Sequence, residues 1–221
     1  MSTNPSVPRN RRLWSWGGAG FAALFLGGQF ASAPLENGSI PLPDAPVAEV
    51  VEYFSANTAT SAVLGTANVL AGLALLFLVG RAALGMRSPG GRVGVVAGWI
   101  AGLSLAVSGT LSVVLGQVAA TAAPGTVETL RDWNFWTGGV IHVVCLGLFV
   151  GLLCLPSVTE PMTGRGVRIF GLVASVPAVL SISSLLWFYA SALLPLGRFS
   201  LIVWAVFAAV SLWRNPKPNA S

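Results

Sequence analysis

His142 is the only histidine in the chain and the side chain best placed to do chemistry. It stands nine residues after Trp133, inside an apolar stretch from 133 to 155. At about 1.5 Å per helical residue that is ~14 Å, near the middle of a bilayer. An ionisable group at that depth is a functional-site candidate by default; the plainer reading is an uncharged imidazole bonded to a neighbouring helix. Asn68 lies at a similar depth on another apolar stretch. Two polar groups at one level can meet across a bundle, and burying either unpaired costs ~1–3 kcal/mol. Ser104, Ser108 and Ser112 recur every fourth residue, which lines them along one helix face. With Gln29 and Gln117, most of these groups sit in the same half of the apolar stretches. The candidate ligand-binding set is therefore His142, Asn68, Ser108, Ser112, Gln117 and Gln29. It forms a pocket open at one end, or else a set of helix-to-helix hydrogen bonds.

Other chemistry lacks its residues. Haem with two axial histidines needs a second His, and Met1, Met86 and Met162 are poorly placed to substitute. His142 and Cys145 share a helical face, but two ligands do not make a zinc site. Cys154 is nine residues beyond Cys145, ~13 Å along one helix, whereas the Cα atoms of a disulfide lie within ~7 Å. Both cysteines read as packing residues. No phosphate-binding glycine loop, HExxH, nucleophile elbow or CxxC pair occurs. The expectation is no metal and no cofactor.

The elements that position these residues follow from composition. The chain has 221 residues, 54% hydrophobic and 9% charged, against about 25% charged in a soluble domain. That excludes an ordinary soluble enzyme, a disordered protein and a nucleic-acid binder, despite the net charge of +5. A helical span needs ~20 mostly apolar residues. Six segments qualify: about 14–33, 60–84, 93–115, 133–155, 168–190 and 196–213. The last two are separated by a hairpin expected at Pro195, Gly197 and Arg198. A transmembrane barrel would show alternating segments of ~10 residues, which these are not. The predicted fold is all-α, one transmembrane domain of six helices. Residues 1–13 form a cytoplasmic tail. The first span has the basic start and Ala31-Ser32-Ala33 of a signal peptide, but Pro34 disfavours cleavage, so an uncleaved anchor is expected.

Charge sets the orientation. Arg9, Arg11, Arg12, Arg81, Arg87, Arg92, Arg165, Arg168, Arg214 and Lys217 fall on one side of a six-span arrangement, and Arg131 and Arg198 on the other. Cationic loops resist translocation, so both termini are expected in the cytoplasm of a cell with a multi-pass plasma-membrane protein. No Asp, Glu, Lys or Arg is expected deep in a span. Gly94, Gly98 and Gly102, and likewise Gly147 and Gly151, recur every fourth residue. Small residues at this spacing let helix backbones approach, and they read as packing seams, with a homo-oligomer or another membrane protein as a further partner beside the lipid bilayer. Pro177 is expected to kink the fifth span.

Residues 34–58 form the one sizeable loop outside the spans. Asp44 can cap a short helix, with Pro46 in its first turn. Val47, Val50, Val51 and Phe54 then make one apolar stripe. This helix either covers the bundle top or acts as a lid over an outward cavity. The run Asp44-Ala-Pro-Val-Ala-Glu-Val-Val-Glu-Tyr-Phe-Ser-Ala-Asn57, followed by a small-residue-rich span and by Arg131-Asp-Trp-Asn-Phe-Trp136, resembles a family of uncharacterised bacterial integral membrane proteins frequent in actinobacteria. The resemblance implies a six-helix bundle in a bacterial plasma membrane and carries over no functional residue.

Three functions are compatible with these residues. The leading one is a structural or accessory membrane bundle without catalytic machinery. The second is a carrier or binder of a small neutral or apolar molecule through an outward cavity. The third is an intramembrane enzyme on a lipid or terpenoid, with Glu49, Glu52, Glu128 or Asp132 as acid. A deep polar cavity separates the first from the others, and a carboxyl pointing into it separates the third from the second.

Overall fold

The computed structural model describes residues 10–42, 44–83, 88–155 and 163–214. Arg9, Arg87 and Lys217 of the charge pattern lie outside them. The described chain is all-helical, with no strand among the described residues. Its helices are α1 (Asn10–Ser32), α2 (Val47–Ala56), α3 (Thr58–Ala83), α4 (Pro89–Val118), α5 (Pro124–Asn134), α6 (His142–Cys154), α7 (Arg165–Leu180) and α8 (Leu193–Arg214). A seven-residue π-helix, Phe135–Ile141, joins α5 to α6, so Pro124–Cys154 is one continuous rod. Among the described residues, five helices are long and apolar enough to cross a membrane: Thr58–Ala83, Pro89–Val118, Pro124–Cys154, Arg165–Leu185 and Ala190–Ser211.

Local sequence fixes several of the ends. Pro89 takes the first turn of α4, where its missing N–H costs nothing, and the Ser88 hydroxyl accepts from the Gly91 amide at 3.1 Å. Pro124 opens α5 in the same way. Helix α2 begins later than the sequence suggests. Pro46 occupies the capping position and no side chain caps the helix, so Asp44 lies in the turn before it rather than at its end.

The long helices form a closed ring in which α1 packs on α3, α3 on α4, α4 on α6, α6 on α7, α7 on α8, and α8 back on α1. Neighbours run antiparallel, as the glycine contacts show. Gly65 lies against Gly109 and Gly72 against Gly102, carbonyl to Cα, on α3 and α4. A Cβ on Gly98 would come within 2.7 Å of Val79 and 3.0 Å of Phe149. Gly94 meets Leu152, and Gly102 meets Leu76. On α6, Gly147 meets Ala178 and Gly151 meets Ser175, both on α7. All five glycines of the sequence pattern thus stand at contacts inside the bundle, where a side chain would push helices apart. The space between the helices is filled by Phe21, Phe25, Leu75, Leu105, Phe149, Leu201 and Ile202, all buried.

One boundary differs from the sequence reading. The expected hairpin at Pro195, Gly197 and Arg198 lies inside α8. The chain turns earlier, between two 3-10 segments, Ser181–Leu185 and Phe188–Ala192. Pro195 is the third residue of α8, within the first turn where proline is tolerated. Gly197 is a contact glycine rather than a turn glycine, since its Cβ would meet the Ala178 Cα at 2.6 Å. Pro177 does lie inside α7, and the chain tightens to the 3-10 form from Ser181 onward.

Candidate functional site

A cavity of about 430 Å³ opens between the helices at the end of the bundle that carries α2, within the ~300–1,000 Å³ of small-molecule sites. Its wall is amphiphilic. Phe25, Leu64, Leu105, Phe135, Leu194 and Phe199 supply apolar surface. Gln29, Asn68, Ser108, Ser112, Arg131, Asn134 and Arg198 supply polar groups. Ile40 and Pro41 of the loop, with Val50 and Phe54 of α2, close it over.

The cover is held by a defined set of bonds. Val50 is fully buried against Leu115 of α4 and Val127 of α5, with Val47, Val51 and Phe54 packed around them. The apolar stripe seen in the sequence is therefore the face that seats α2. At the junction with α3, buried Asn57 donates to the carbonyls of Asn37 (2.8 Å) and Tyr53 (2.9 Å), and it accepts from the Asn37 amide at 2.7 Å. The Tyr53 hydroxyl donates to Glu36 at 2.8 Å. Burial, and then this carboxylate beside it, hold the Tyr53 phenol above its ordinary range. Arg131 donates to the Ala45 carbonyl at 2.9 Å, which ties α5 to the loop.

Inside the cavity the polar groups divide into those that satisfy one another and those that do not. Ser108 donates to Asn134 Oδ1 at 2.5 Å, and Asn134 Nδ2 donates to Ser112 at 3.1 Å. This small network joins α4 to the end of α5. Arg131 is paired with Asp132 at 3.0 Å and lies 3.8 Å from Glu128. Arg198 has no such partner: among the described residues no carboxylate lies within ion-pair distance of it. Its Nη2 donates to the Gly138 carbonyl, its guanidinium carbon stands 5.5 Å over the Phe25 ring, and its Nε is buried without a hydrogen-bond partner. Asn68 Oδ1 is likewise buried and unpartnered.

The π-helix makes the Arg198 contact. The His142 amide reaches back to the Thr137 carbonyl, and the widened turn brings Phe135, Gly138 and Gly139 into the cavity wall. Gly138 has to be glycine here, since a Cβ would run into the Ser108 side chain. Insertions of this kind recur at functional sites.

Four of the six predicted ligand-binding residues, Gln29, Asn68, Ser108 and Ser112, meet in this cavity. Two do not. His142 is fully buried below it, its Nδ1 2.9 Å from the Ala101 carbonyl and its ring 6.3 Å from that of Phe21. It belongs to the packed centre because the helix turn that carries it faces Ala101 rather than the cavity. Gln117 points away from the bundle and is exposed. Sequence reasoning missed Asn134, Arg131 and above all Arg198. Asn134 stands at the very start of the fourth apolar stretch, outside the depth at which polar groups were sought, and Arg198 stands in what looked like a turn. The carboxylates proposed for an enzyme stay out of the cavity. Glu128 and Asp132 pair with Arg131, while Glu49 and Glu52, together with Asp44, line a separate cavity of about 780 Å³ between the loop and α2. Cys145 and Cys154 are free, both on α6. Among the described residues no three His, Cys, Asp or Glu gather closely enough to hold a metal ion.

Comparison with protein families, with characterised proteins and with solved structures finds no match for this chain. The loose sequence resemblance to bacterial integral membrane proteins therefore assigns no family, and the function has to be argued from the cavity itself.

Proposed function

We propose that this chain is a six-span protein of a bacterial plasma membrane that binds or carries a small molecule through an outward-facing cavity. The observation that carries the reading is the cavity under α2, where Asn68, Ser108, Ser112 and Gln29 come together from three different helices. A bundle serving only as an accessory scaffold needs no such space. Interiors are normally close-packed, so a space of this size between helices stands out. Among the described residues no carboxyl lines the cavity, which favours binding or carriage over acid catalysis on a lipid or terpenoid.

Six spans are supported by the ring. Helix α1 has 23 residues, ~34 Å at 1.5 Å per residue, which exceeds a hydrocarbon core of ~30 Å. It fills the place between α3 and α8. Orientation rests on Arg81, Arg92, Arg165 and Arg168, which sit on the α3, α4 and α7 ends opposite the α2 loop. With that end in the cytoplasm, both termini are cytoplasmic and the cavity faces out.

Native mass spectrometry of the protein released from its own membranes tests the reading. The expected spectrum shows a small molecule that leaves on denaturation and is absent from Asn68→Phe, whose ring fills the cavity. A wild-type protein that carries nothing, and that binds nothing from a panel of small amphiphiles, overturns it in favour of an accessory bundle.

A further inference from the structure

We infer that the cavity selects a small amphiphile bearing a single acidic headgroup, a carboxylate or a phosphate monoester, held by Arg198. The inference rests on the binding reading above and adds the chemistry of the ligand.

A guanidinium carries five N–H donors and no acceptor. In Arg198 one nitrogen donates to the Gly138 carbonyl, while Nε is buried with nothing to receive its hydrogen. A buried donor left unmade costs ~1–3 kcal/mol, more when the group is charged. The Phe25 ring under the guanidinium offsets part of that, but a ring face is no substitute for an anion. The geometry that completes the site is an oxyanion, which takes guanidinium donors side by side.

Charge balance then fixes how many anions fit. Two cations line the cavity, Arg131 and Arg198. Arg131 already has Asp132 at 3.0 Å and Glu128 nearby, and it also holds the Ala45 carbonyl. One cation is left, so one negative charge is wanted. A zwitterionic head, or the second charge of a fully ionised phosphate, would be placed against Phe135, Leu194 and Phe199 at a desolvation cost with no partner to offset it, so a phosphate monoester fits as its singly charged form.

The remaining wall describes the rest of the ligand. Ser108, Ser112 and Asn134 bond one another and ask nothing of it. Phe25, Leu64, Leu105 and Phe54 offer apolar surface beneath the α2 cover, suited to a short chain or ring. Asn68 Oδ1, buried and unpartnered, adds one acceptor, which a hydroxyl or amide N–H on the ligand would satisfy.

The experiment uses the full chain in phosphatidylcholine nanodiscs, with empty nanodiscs subtracted. Octanoate, octyl phosphate, 1-octanol and octylammonium are compared by calorimetric titration of wild type and Arg198→Gln. One of the two acids is expected to bind about tenfold or more tighter than octanol, and octylammonium weakest, since charge-assisted hydrogen bonds to a desolvated guanidinium are roughly twice as strong as neutral ones. Which acid leads tells the two headgroups apart. Arg198→Gln is expected to bind acid and alcohol alike. Equal binding of acid and alcohol by wild type overturns the acidic headgroup while leaving the cavity as a binding site. Binding of none of the four overturns the binding reading itself. If Arg198→Gln does not fold, the wild-type order of acid, alcohol and amine decides alone.

Discussion

The two halves of the ring are built from the same helices and do opposite things. In the half away from α2, glycines face carbonyls and side chains at closest approach, and Phe149, Val79 and Leu75 fill what space is left. In the half under α2, Gly65 and Gly109 still bring α3 and α4 together, but beside them polar side chains line a space of about 430 Å³ that the helices leave open. His142 stands at the boundary, fully buried, with its Nδ1 2.9 Å from the Ala101 carbonyl of α4. Depth along a helix therefore does not identify a site. What decides is which face the residue occupies, and whether small residues on that face let the neighbouring backbones close.

Predictions that break or sharpen this contrast run from severe to slight. Gly98→Leu puts a branched side chain where a Cβ alone already meets Val79 and Phe149. Overpacking costs ~1–3 kcal/mol where a core can adjust; with buried Val79 and Phe149 side chains pressed this close from two helices, the expected result is loss of monodisperse protein on size exclusion. Wild-type behaviour of this variant would place the seam elsewhere. His142→Leu removes a buried hydrogen bond from the dry half, and thermal unfolding should show a loss of ~1 kcal/mol with ligand binding unchanged. A large loss of binding would put His142 in the cavity after all. Phe54→Ala opens the cover of the other half. Truncating a partly buried ring costs less than the ~3–5 kcal/mol of a core Phe, so the fold should survive while ligand release quickens. An unchanged release rate would show that α2 does not gate the site.

The smallest effect concerns the Tyr53–Glu36 bond, worth ~1 kcal/mol, and it carries a pH signature. The fold holds the Tyr53 phenol above its ordinary value, through burial first and the neighbouring Glu36 second. A raised value means the neutral phenol is the form the fold favours. The stabilisation is complete below the ordinary tyrosine value of about 10 and is lost as pH rises past it. A fluorophore on Ile40→Cys should therefore report loosening of the loop under alkaline conditions in wild type. In Tyr53→Phe the loop should be slightly looser throughout, and this alkaline step should be absent. The same alkaline step in both proteins would remove Tyr53 from the account.

Much of this contrast was legible in the sequence. Period-four glycines and serines mark faces directly, because a helix returns to the same face about every fourth residue, and Ser108 and Ser112 were readable for that reason. The stripe Val47, Val50, Val51 and Phe54 was readable likewise. Arg198 was not. Pro195 and Gly197 beside it carry the composition of a turn, yet proline is allowed in a first helical turn and glycine is also the residue of closest packing. Composition cannot tell these uses apart; the neighbour that Gly197 meets, Ala178 of α7, can. Asn134 was hidden because its partners come from α4, more than twenty residues away. His142 misled because depth was read without the face.

Water and solutes are expected to reach the α2 half and not the half beyond His142. Single cysteines at Asn68, Ser112 and His142, in a background with Cys145→Ala and Cys154→Ala, test it in native membranes with an impermeant thiol reagent added outside. Asn68→Cys and Ser112→Cys should label, should be protected by ligand, and should label faster in a Phe54→Ala background. His142→Cys should label only after denaturation. Rapid labelling of His142→Cys, or none at Asn68→Cys and Ser112→Cys, would contradict the division of the bundle into a wet half and a dry one.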